Sequence, residues 1–157
     1  MGKNLGMIFG IFLLIFLLGC TEKQQSANPS VLIQNQQIFE VNRVIDGDTI
    51  EIDSGKKVRL ICINTPEVGE YGYEEAKEYL TRRILDKKVR LEKDVSETDK
   101  FGRLLRYVFL EDAFLNGELV KNGFAEIVRY PPDTSRCDEL ERLETDAVNK
   151  KLGIWSD

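Results

Sequence analysis

Three short polar segments contain the residue types that could carry out chemistry in this chain. They are DGDT at residues 46–49, NTPE at residues 64–67 with Arg59 shortly before it, and TDKFGR at residues 98–103. The 157 residues include no histidine and only three cysteines. This excludes Ser-His-Asp and Cys-His nucleophile systems, His-ligated zinc or haem, and a four-thiolate zinc site. An enzyme built from this sequence must therefore use carboxylates and arginines, with or without a hard, oxygen-bound cation.

Each of these segments also has an ordinary structural interpretation. Asp-Gly between alternating apolar residues is a strong hairpin signal, so residues 46–49 fit a simple turn. Residues 64–67 fit the end of a strand, because Pro66 fixes the backbone there. Residues 98–103 fit a polar loop with a glycine before the next strand. The functional interpretation places Asp48 at a rigid strand edge, where its carboxylate suits a hard cation.

The surrounding pattern predicts an α+β fold, mainly a small β-barrel with helices packed on it. Period-2 apolar alternation and turn signals predict five strands, at residues 39–45, 49–52, 57–63, 88–92 and 104–110. Helical periodicity predicts three helices, at residues 74–85, 115–122 and 135–152. We expect Gly123 to stop the second helix and Thr134 or Ser135 to cap the third.

The N-terminal 37 residues have a different composition. Lys3 is followed by an apolar run of twelve residues, 7–18, which is shorter than the ~20 residues that span a bilayer. LLGC at residues 17–20 resembles a bacterial lipobox, with Cys20 as the lipidated residue. We therefore predict a lipoprotein-type signal peptide at 1–19, a lipidated Cys20 with a Gln/Asn/Ser-rich tether to residue 37, and a folded domain at 38–157. The alternative is a secretory signal or uncleaved anchor with an incidental cysteine.

The charge distribution and the two other cysteines further limit the kind of surface and the kind of cysteine chemistry that this chain can have. Residues 39–110 carry 14 basic and 15 acidic side chains, and residues 111–157 carry 6 and 11. A uniformly basic nucleic-acid surface is thus excluded, whereas a local basic cleft is not. Cys62 lies in an apolar alternation and is expected to be a small core residue. A disulfide between Cys62 and Cys137 is compatible with an extracytoplasmic location, but the sequence does not decide it.

Taken together and in order, the motifs resemble those of the staphylococcal nuclease (thermonuclease) family. The matching pieces are VIDGDT at 44–49, VRL at 58–60, TPE at 65–67, DKFGR at 99–103 and GIWS at 153–156. The resemblance runs from about residue 39 to 157. It implies a five-stranded OB-fold barrel with three helices. It also implies a calcium-dependent phosphodiesterase that acts on DNA and RNA and leaves 3′-phosphate products.

The resemblance also implies roles for individual residues. The Asp48 carboxylate, the Asn64 side chain and the Thr65 carbonyl would bind Ca²⁺. Arg59 and Arg103 would hold the scissile phosphate. Substrate would also contact Lys100 and Phe101, and Glu67 would orient or deprotonate the attacking water. Two guanidinium groups and a divalent cation suit a reaction that builds negative charge on a phosphoryl group.

Two positions depart from the family pattern. Asn64 stands where the family usually has a second calcium-binding Asp, and it keeps the oxygen but loses the charge, which predicts a weaker site. Phe101 stands where a Tyr is common, so a hydroxyl that could bond a substrate phosphate is absent, although the ring can stack on a base. These changes leave open a non-catalytic OB-fold module that binds nucleic acid or a protein.

We expect DNA and RNA as the partners of the folded domain, with no obligate protein partner and a monomeric state. The only expected membrane contact is the lipid anchor at Cys20, on the extracytoplasmic face. If Cys20 is not lipidated, the chain would instead be secreted. An interaction lipoprotein with no nucleic-acid role has only the acidic residues 111–157 in its favour, and those fit a solvated helix surface.

Overall fold

The computed structural model describes residues 37–156, together with Gly2 alone. The eight strands of this part are β1 Gln37–Val44, β2 Thr49–Ile52, β3 Lys57–Leu60, β4 Ile63–Asn64, β5 Lys88–Glu92, β6 Leu104–Leu110, β7 Ala113–Phe114 and β8 Glu126–Ile127. Its α-helices are α1 Tyr73–Ile84, α2 Leu115–Lys121 and α3 Cys137–Asn149, followed by a 3₁₀ turn at Gly153–Trp155. Apart from Gly2, the predicted signal peptide lies outside the described residues, as do Cys20 and the predicted tether up to residue 36.

Five strands close into a barrel. β1 pairs with β2 and β5, β2 with β3, and β5 with β6, all antiparallel. The parallel pairing of β3 with β6 completes the ring, so each of these five strands pairs with a neighbour on both sides. The interior is filled by fully buried aliphatic side chains, among them Val41, Ile50, Ile52, Val58, Leu60, Val89 and Val108. The predicted fold class, an OB-fold barrel with three helices, is confirmed.

The helices follow from apolar spacing. In α1, Ala76, Leu80 and Ile84 are four residues apart and fully buried, while Glu74 and Glu75 lie in the first turn, where negative charge favours the helix dipole. The predicted bounds of this helix, 74–85, differ from the observed ones by one residue. Gly123 follows α2 with a φ of 72°, and it ends that helix as expected.

Two local predictions are wrong. The predicted strand 57–63 is interrupted, because Ile61 and Cys62 form a turn between β3 and β4, with a φ of 63° at Cys62. The third helix runs over Cys137–Asn149 rather than over 135–152, and it has no side-chain cap. Thr134 contributes only its backbone carbonyl, which accepts a hydrogen bond from the Cys137 amide at 3.1 Å. Local sequence signals did not predict the turn at Cys62 or the start of the third helix.

The structure shows that Cys62 and Cys137 form a disulfide, with their Cα atoms 5.4 Å apart. It joins the turn between β3 and β4 to the first residue of α3. Among the described residues, no helix combines the length and the apolar character needed to cross a bilayer.

Candidate active site

One open cleft of about 630 Å³ lies where the β2–β3 edge, the chain after β3 and the loop before β6 meet. It brings together most of the side chains predicted from the sequence: Asp48, Arg59, Asn64, Glu67, Lys100, Phe101 and Arg103. Thr65 is not part of the lining. It is buried directly behind Asp48, to which its backbone amide donates a hydrogen bond of 3.0 Å.

The turn at residues 46–49 is fixed by close packing. The Asp48 amide donates to the Asp46 carboxylate at 3.1 Å, and the Ile45 amide donates to the Thr49 carbonyl at 2.9 Å. A Cβ on Gly47 would come within 2.7 Å of the Thr65 hydroxyl and 2.8 Å of the Ala76 methyl group. Glycine is therefore required, because this turn packs directly on the chain after β4 and on α1.

Asp48 and Arg59 form a buried ion pair. Arg59 Nη2 lies 2.9 Å from Asp48 Oδ2, and the two side chains are only 11% and 8% exposed. Burial raises the pKa of Asp48 to about 6, although the positive charge of Arg59 opposes that rise. Burial likewise lowers the pKa of Arg59. The negative charge of Asp48 opposes this decrease, whereas the positive charge of Arg103 adds to it. Arg103 is thus close enough to Arg59 for their charges to repel.

Arg59 is held by the chain that follows it. Its Nη1 atom donates to the carbonyls of Leu60 and Ile63, the second at 2.8 Å. Its Nη2 atom donates to Asn64 Oδ1 at 3.2 Å and forms the ion pair with the Asp48 carboxylate. The guanidinium group therefore cross-links β3, the turn after it and the strand edge that carries Asp48.

Two partners fix the orientation of the Asn64 amide. Arg59 can only donate a hydrogen bond, so the atom facing it must be the oxygen. The carboxylate of Glu126, directly opposite on β8, can only accept, and it lies 3.3 Å from Asn64 Nδ2. The amide oxygen consequently points toward Arg59 and Asp48 rather than toward β8.

These oxygens fit a hard cation. The Asp48 carboxylate and the Asn64 amide oxygen already converge on one positively charged nitrogen, Arg59 Nη2. Carboxylate and carbonyl oxygens are the ligands that Ca²⁺ prefers. Within residues 37–156, no group of three or more His, Cys, Asp or Glu side chains converges as a metal site. A cation held by the Asp48 and Asn64 side chains would have one carboxylate and one neutral oxygen from them, and this low ligand charge favours weak binding.

Arg103 is anchored at the opposite side of the cleft. Its Nε donates to Asp99 Oδ2 at 2.7 Å, and Asp99 Oδ1 accepts from the backbone amides of Phe101 and Arg103. Burial disfavours the ionised form of Asp99, but these hydrogen bonds outweigh it and hold its pKa below the usual value. The Phe101 ring is 71% exposed and lies 5.0 Å from Lys100 Nζ and 5.5 Å from the Arg103 guanidinium carbon.

Glu67 lies in the loop between β4 and α1 and is exposed to solvent at the cleft. Its backbone amide donates to Glu70 Oε2 at 2.7 Å, and its carbonyl accepts from the Glu70 amide at 2.9 Å. The backbone at Glu67 is thus fixed, while its carboxylate can reach a molecule in the cleft.

Two polar residues of the cleft lie outside the segments that the sequence analysis singled out. Tyr130 is 69% exposed and lines the cleft, but a tyrosine before two prolines is typical of a turn and carries no signal for a site. Asp133 also lines the cleft, and its carboxylate accepts from the backbone amides of Val95 and Ser96 at 3.0 and 2.7 Å. It fixes the segment before the 98–103 loop, a role that depends entirely on a long-range contact.

Comparison with known proteins agrees with this geometry. The family model described as staphylococcal nuclease homologue matches residues 57–157. A thermonuclease of Staphylococcus hyicus is 39% identical over 132 residues, covering 78% of each chain. A thermonuclease of Staphylococcus intermedius is 40% identical over 127 residues, covering 74% of this chain and 75% of that one. Endonuclease YncB of Bacillus subtilis is 38% identical over 147 residues, covering 85% of this chain and 69% of that one. The prediction of a nuclease-type hydrolase is confirmed. The chain therefore belongs to the staphylococcal nuclease family.

Proposed function

We propose that this chain is a calcium-dependent phosphodiesterase that hydrolyses DNA and RNA to products with a 3′-phosphate. The observation that carries this proposal is the convergence of two arginines, Arg59 and Arg103, with the carboxylates of Asp48 and Glu67 in one cleft. Attack on a phosphodiester places negative charge on the phosphoryl oxygens, and fixed guanidinium groups stabilise that charge without reorganising.

Each residue has one task in this mechanism. Arg59 and Arg103 bind the phosphoryl oxygens from two sides. Glu67 accepts the proton of the attacking water, a role for which its solvent-facing carboxylate is suited. The water oxygen forms a bond to phosphorus as the bond from phosphorus to the 5′ oxygen breaks. The phosphate therefore stays on the 3′ side, and the 5′ oxygen takes up a proton from solvent and leaves as a hydroxyl.

Asp48, Asn64 and Thr65 would hold the Ca²⁺ ion, through a carboxylate, an amide oxygen and a backbone carbonyl. When bound, the ion supplies positive charge beside the phosphoryl group. Phe101 and Tyr130 present exposed rings on which bases can stack. Lys100 adds a positive charge to the same side of the cleft, and we expect the affinity for long nucleic acids to fall with salt.

The test is digestion of single-stranded DNA and RNA by the full chain in mild detergent, across a calcium titration with a chelator control. We expect calcium-dependent cleavage and phosphatase-sensitive 3′ ends. Glu67→Gln and Arg103→Ala should each lose at least about a hundredfold in kcat, because general-base and charge-stabilising groups contribute about that much. Glu74→Gln and Arg82→Ala, both exposed on α1, are the matched controls. Normal turnover in either cleft variant would refute its assigned role.

We further propose that Cys20 carries a lipid and holds the folded domain on the extracytoplasmic face of a membrane. The support is the lipobox-like LLGC at residues 17–20 after an apolar run. Labelled fatty acid should be incorporated by the wild-type chain and not by Cys20→Ser. Equal labelling of both would show that Cys20 is not the lipidated residue.

A further inference from the structure

The Cys62–Cys137 disulfide lies against the catalytic cleft. Cys62 lines the cleft, and its bond to Cys137 connects the β3–β4 turn to the first residue of α3. Cys62 and Cys137 are 3% and 0% exposed. The bridge therefore links a segment of the site directly to a helix that carries none of the proposed catalytic residues.

The turn that contains Cys62 surrounds the Arg59 guanidinium. Arg59 Nη1 donates to the carbonyls of Leu60 and Ile63, which lie on either side of Cys62. Both carbonyls face the same nitrogen across a turn at Ile61 and Cys62, where the Cys62 φ is 63°. Asp48 and Asn64 hold Nη2, so the conformation of Cys62 determines the two contacts that hold the Nη1 side of the guanidinium group.

That conformation is unfavourable for an ordinary side chain. For a residue with a Cβ, the left-handed region is disfavoured by a factor of about 5 to 30. Backbone contacts contribute to holding the turn, since the Val128 amide donates to the Cys62 carbonyl at 3.2 Å and Asn116 Nδ2 donates to the Ile61 carbonyl at 2.9 Å. The Cys62 side chain itself is fixed to the rest of the fold by its covalent bond to α3.

We propose that the Cys62–Cys137 disulfide is a positioning element for Arg59, so that turnover depends on the bridge being oxidised. Reduction breaks the sulfur–sulfur bond. A dithiol reductant supplies two electrons and two protons to form the two thiols, and it becomes a disulfide itself. The nuclease would then reach full activity only in oxidising surroundings. This inference rests on the proposed role of Arg59 in binding the scissile phosphate.

Two variants that both lack the bridge test the proposal. Cys62→Ala with Cys137→Ala keeps a Cβ at position 62, whereas Cys62→Gly with Cys137→Ala removes it. Glycine adopts positive φ freely, so it can hold the turn without the bridge. We measure kcat and KM on single-stranded DNA at saturating calcium, with the full chain in detergent and Cys20 present throughout.

The alanine pair should lose about fivefold to thirtyfold in kcat, in line with the penalty for a left-handed residue with a side chain. The glycine pair should recover to within about threefold of wild type, since glycine does not carry that penalty. An unchanged kcat in the alanine pair, or an equal loss in both pairs, would overturn the proposal. Arg59→Ala is measured in parallel. If it retains activity, the proposed role of Arg59 fails and this inference fails with it. If Arg59→Ala loses activity while the alanine pair turns over like wild type, the role of Arg59 stands and this inference alone fails.

A second measurement, on the wild-type chain, tests the proposal even if the double variants do not fold. The wild-type chain is titrated with dithiothreitol, and thiol release, turnover and the fluorescence of Trp155, the single tryptophan, are followed on the same samples. Turnover should fall with thiol release while the fluorescence remains that of the folded protein. A loss of turnover that coincides with unfolding would show that the bridge contributes only to stability and would refute the positioning role.

Discussion

The buried pair of Asp48 and Arg59 allows a stability prediction that does not depend on substrate or calcium. Replacing Arg59 by Met keeps most of the side-chain volume but removes the charge. Asp48, which is only 6% exposed, would then have no ionic partner. Its carboxylate would keep the hydrogen bonds from the Thr49 hydroxyl and the Thr65 amide, both 3.0 Å long. We therefore expect Arg59→Met to destabilise the fold.

The expected magnitude follows from the burial of the pair. Removing one partner of a buried ion pair destabilises a protein by about 3–5 kcal/mol. Because Asp48 keeps two other donors, we expect the lower end, about 3 kcal/mol. Unfolding entropy is about 2.1 cal/mol/K per residue, and some 120 residues are folded, so the melting temperature should fall by about 12 °C. Adding Asp48→Asn removes the unpaired charge and should restore most of this loss, apart from the Leu60 and Ile63 carbonyls that lose their donor.

The assay is urea unfolding followed by Trp155 fluorescence, with a chelator present so that no cation pairs with Asp48. Arg82→Met is the matched control, because Arg82 pairs with Glu78 on the surface of α1, where both side chains are more than 60% exposed. That variant should change the free energy of unfolding by less than about 0.5 kcal/mol. An Arg59→Met protein as stable as wild type, or a double variant no more stable than the single one, would refute the reasoning.

Three further predictions concern individual side chains. Asn64→Asp restores a negative charge beside Asp48 and should lower the calcium concentration for half-maximal activity about tenfold; an unchanged requirement would mean that residue 64 is not a ligand. Phe101→Tyr adds a hydroxyl at the cleft and should lower KM about threefold if it reaches a substrate phosphate, which steady-state kinetics can measure. Glu118 accepts two hydrogen bonds of 2.8 Å from Arg83, which lower its pKa below the usual 4.5. A lowered folded-state pKa stabilises the protein above pH 4.5, and this contribution is lost as the pH falls through the folded pKa. Glu118→Gln should therefore lower the free energy of unfolding by about 1 kcal/mol at pH 7 and by much less near pH 3; an equal effect at both pH values would contradict this assignment.

Local patterns in the sequence were sufficient for most of the framework. The strands β2, β5 and β6 match the predicted bounds, because alternating apolar residues between turn signals define them locally. The helix α1 was predicted to within one residue, because its buried positions recur every four residues. The polar motifs, taken in order, were enough to identify most of the polar residues that line the cleft, with Tyr130 and Asp133 as exceptions.

What the sequence left open depends on contacts between distant segments. The disulfide joins residues 75 positions apart, and the turn at Cys62 interrupts a run that looks locally like one strand. Burial of the Asp48–Arg59 pair, and with it the raised pKa of Asp48, arises only after the turn at 46–49 packs against Thr65. The sequence by itself thus determined which residues are available for chemistry. The tertiary structure decided how deeply their charges are buried and which backbone groups hold them, because both depend on segments that meet only in the closed barrel.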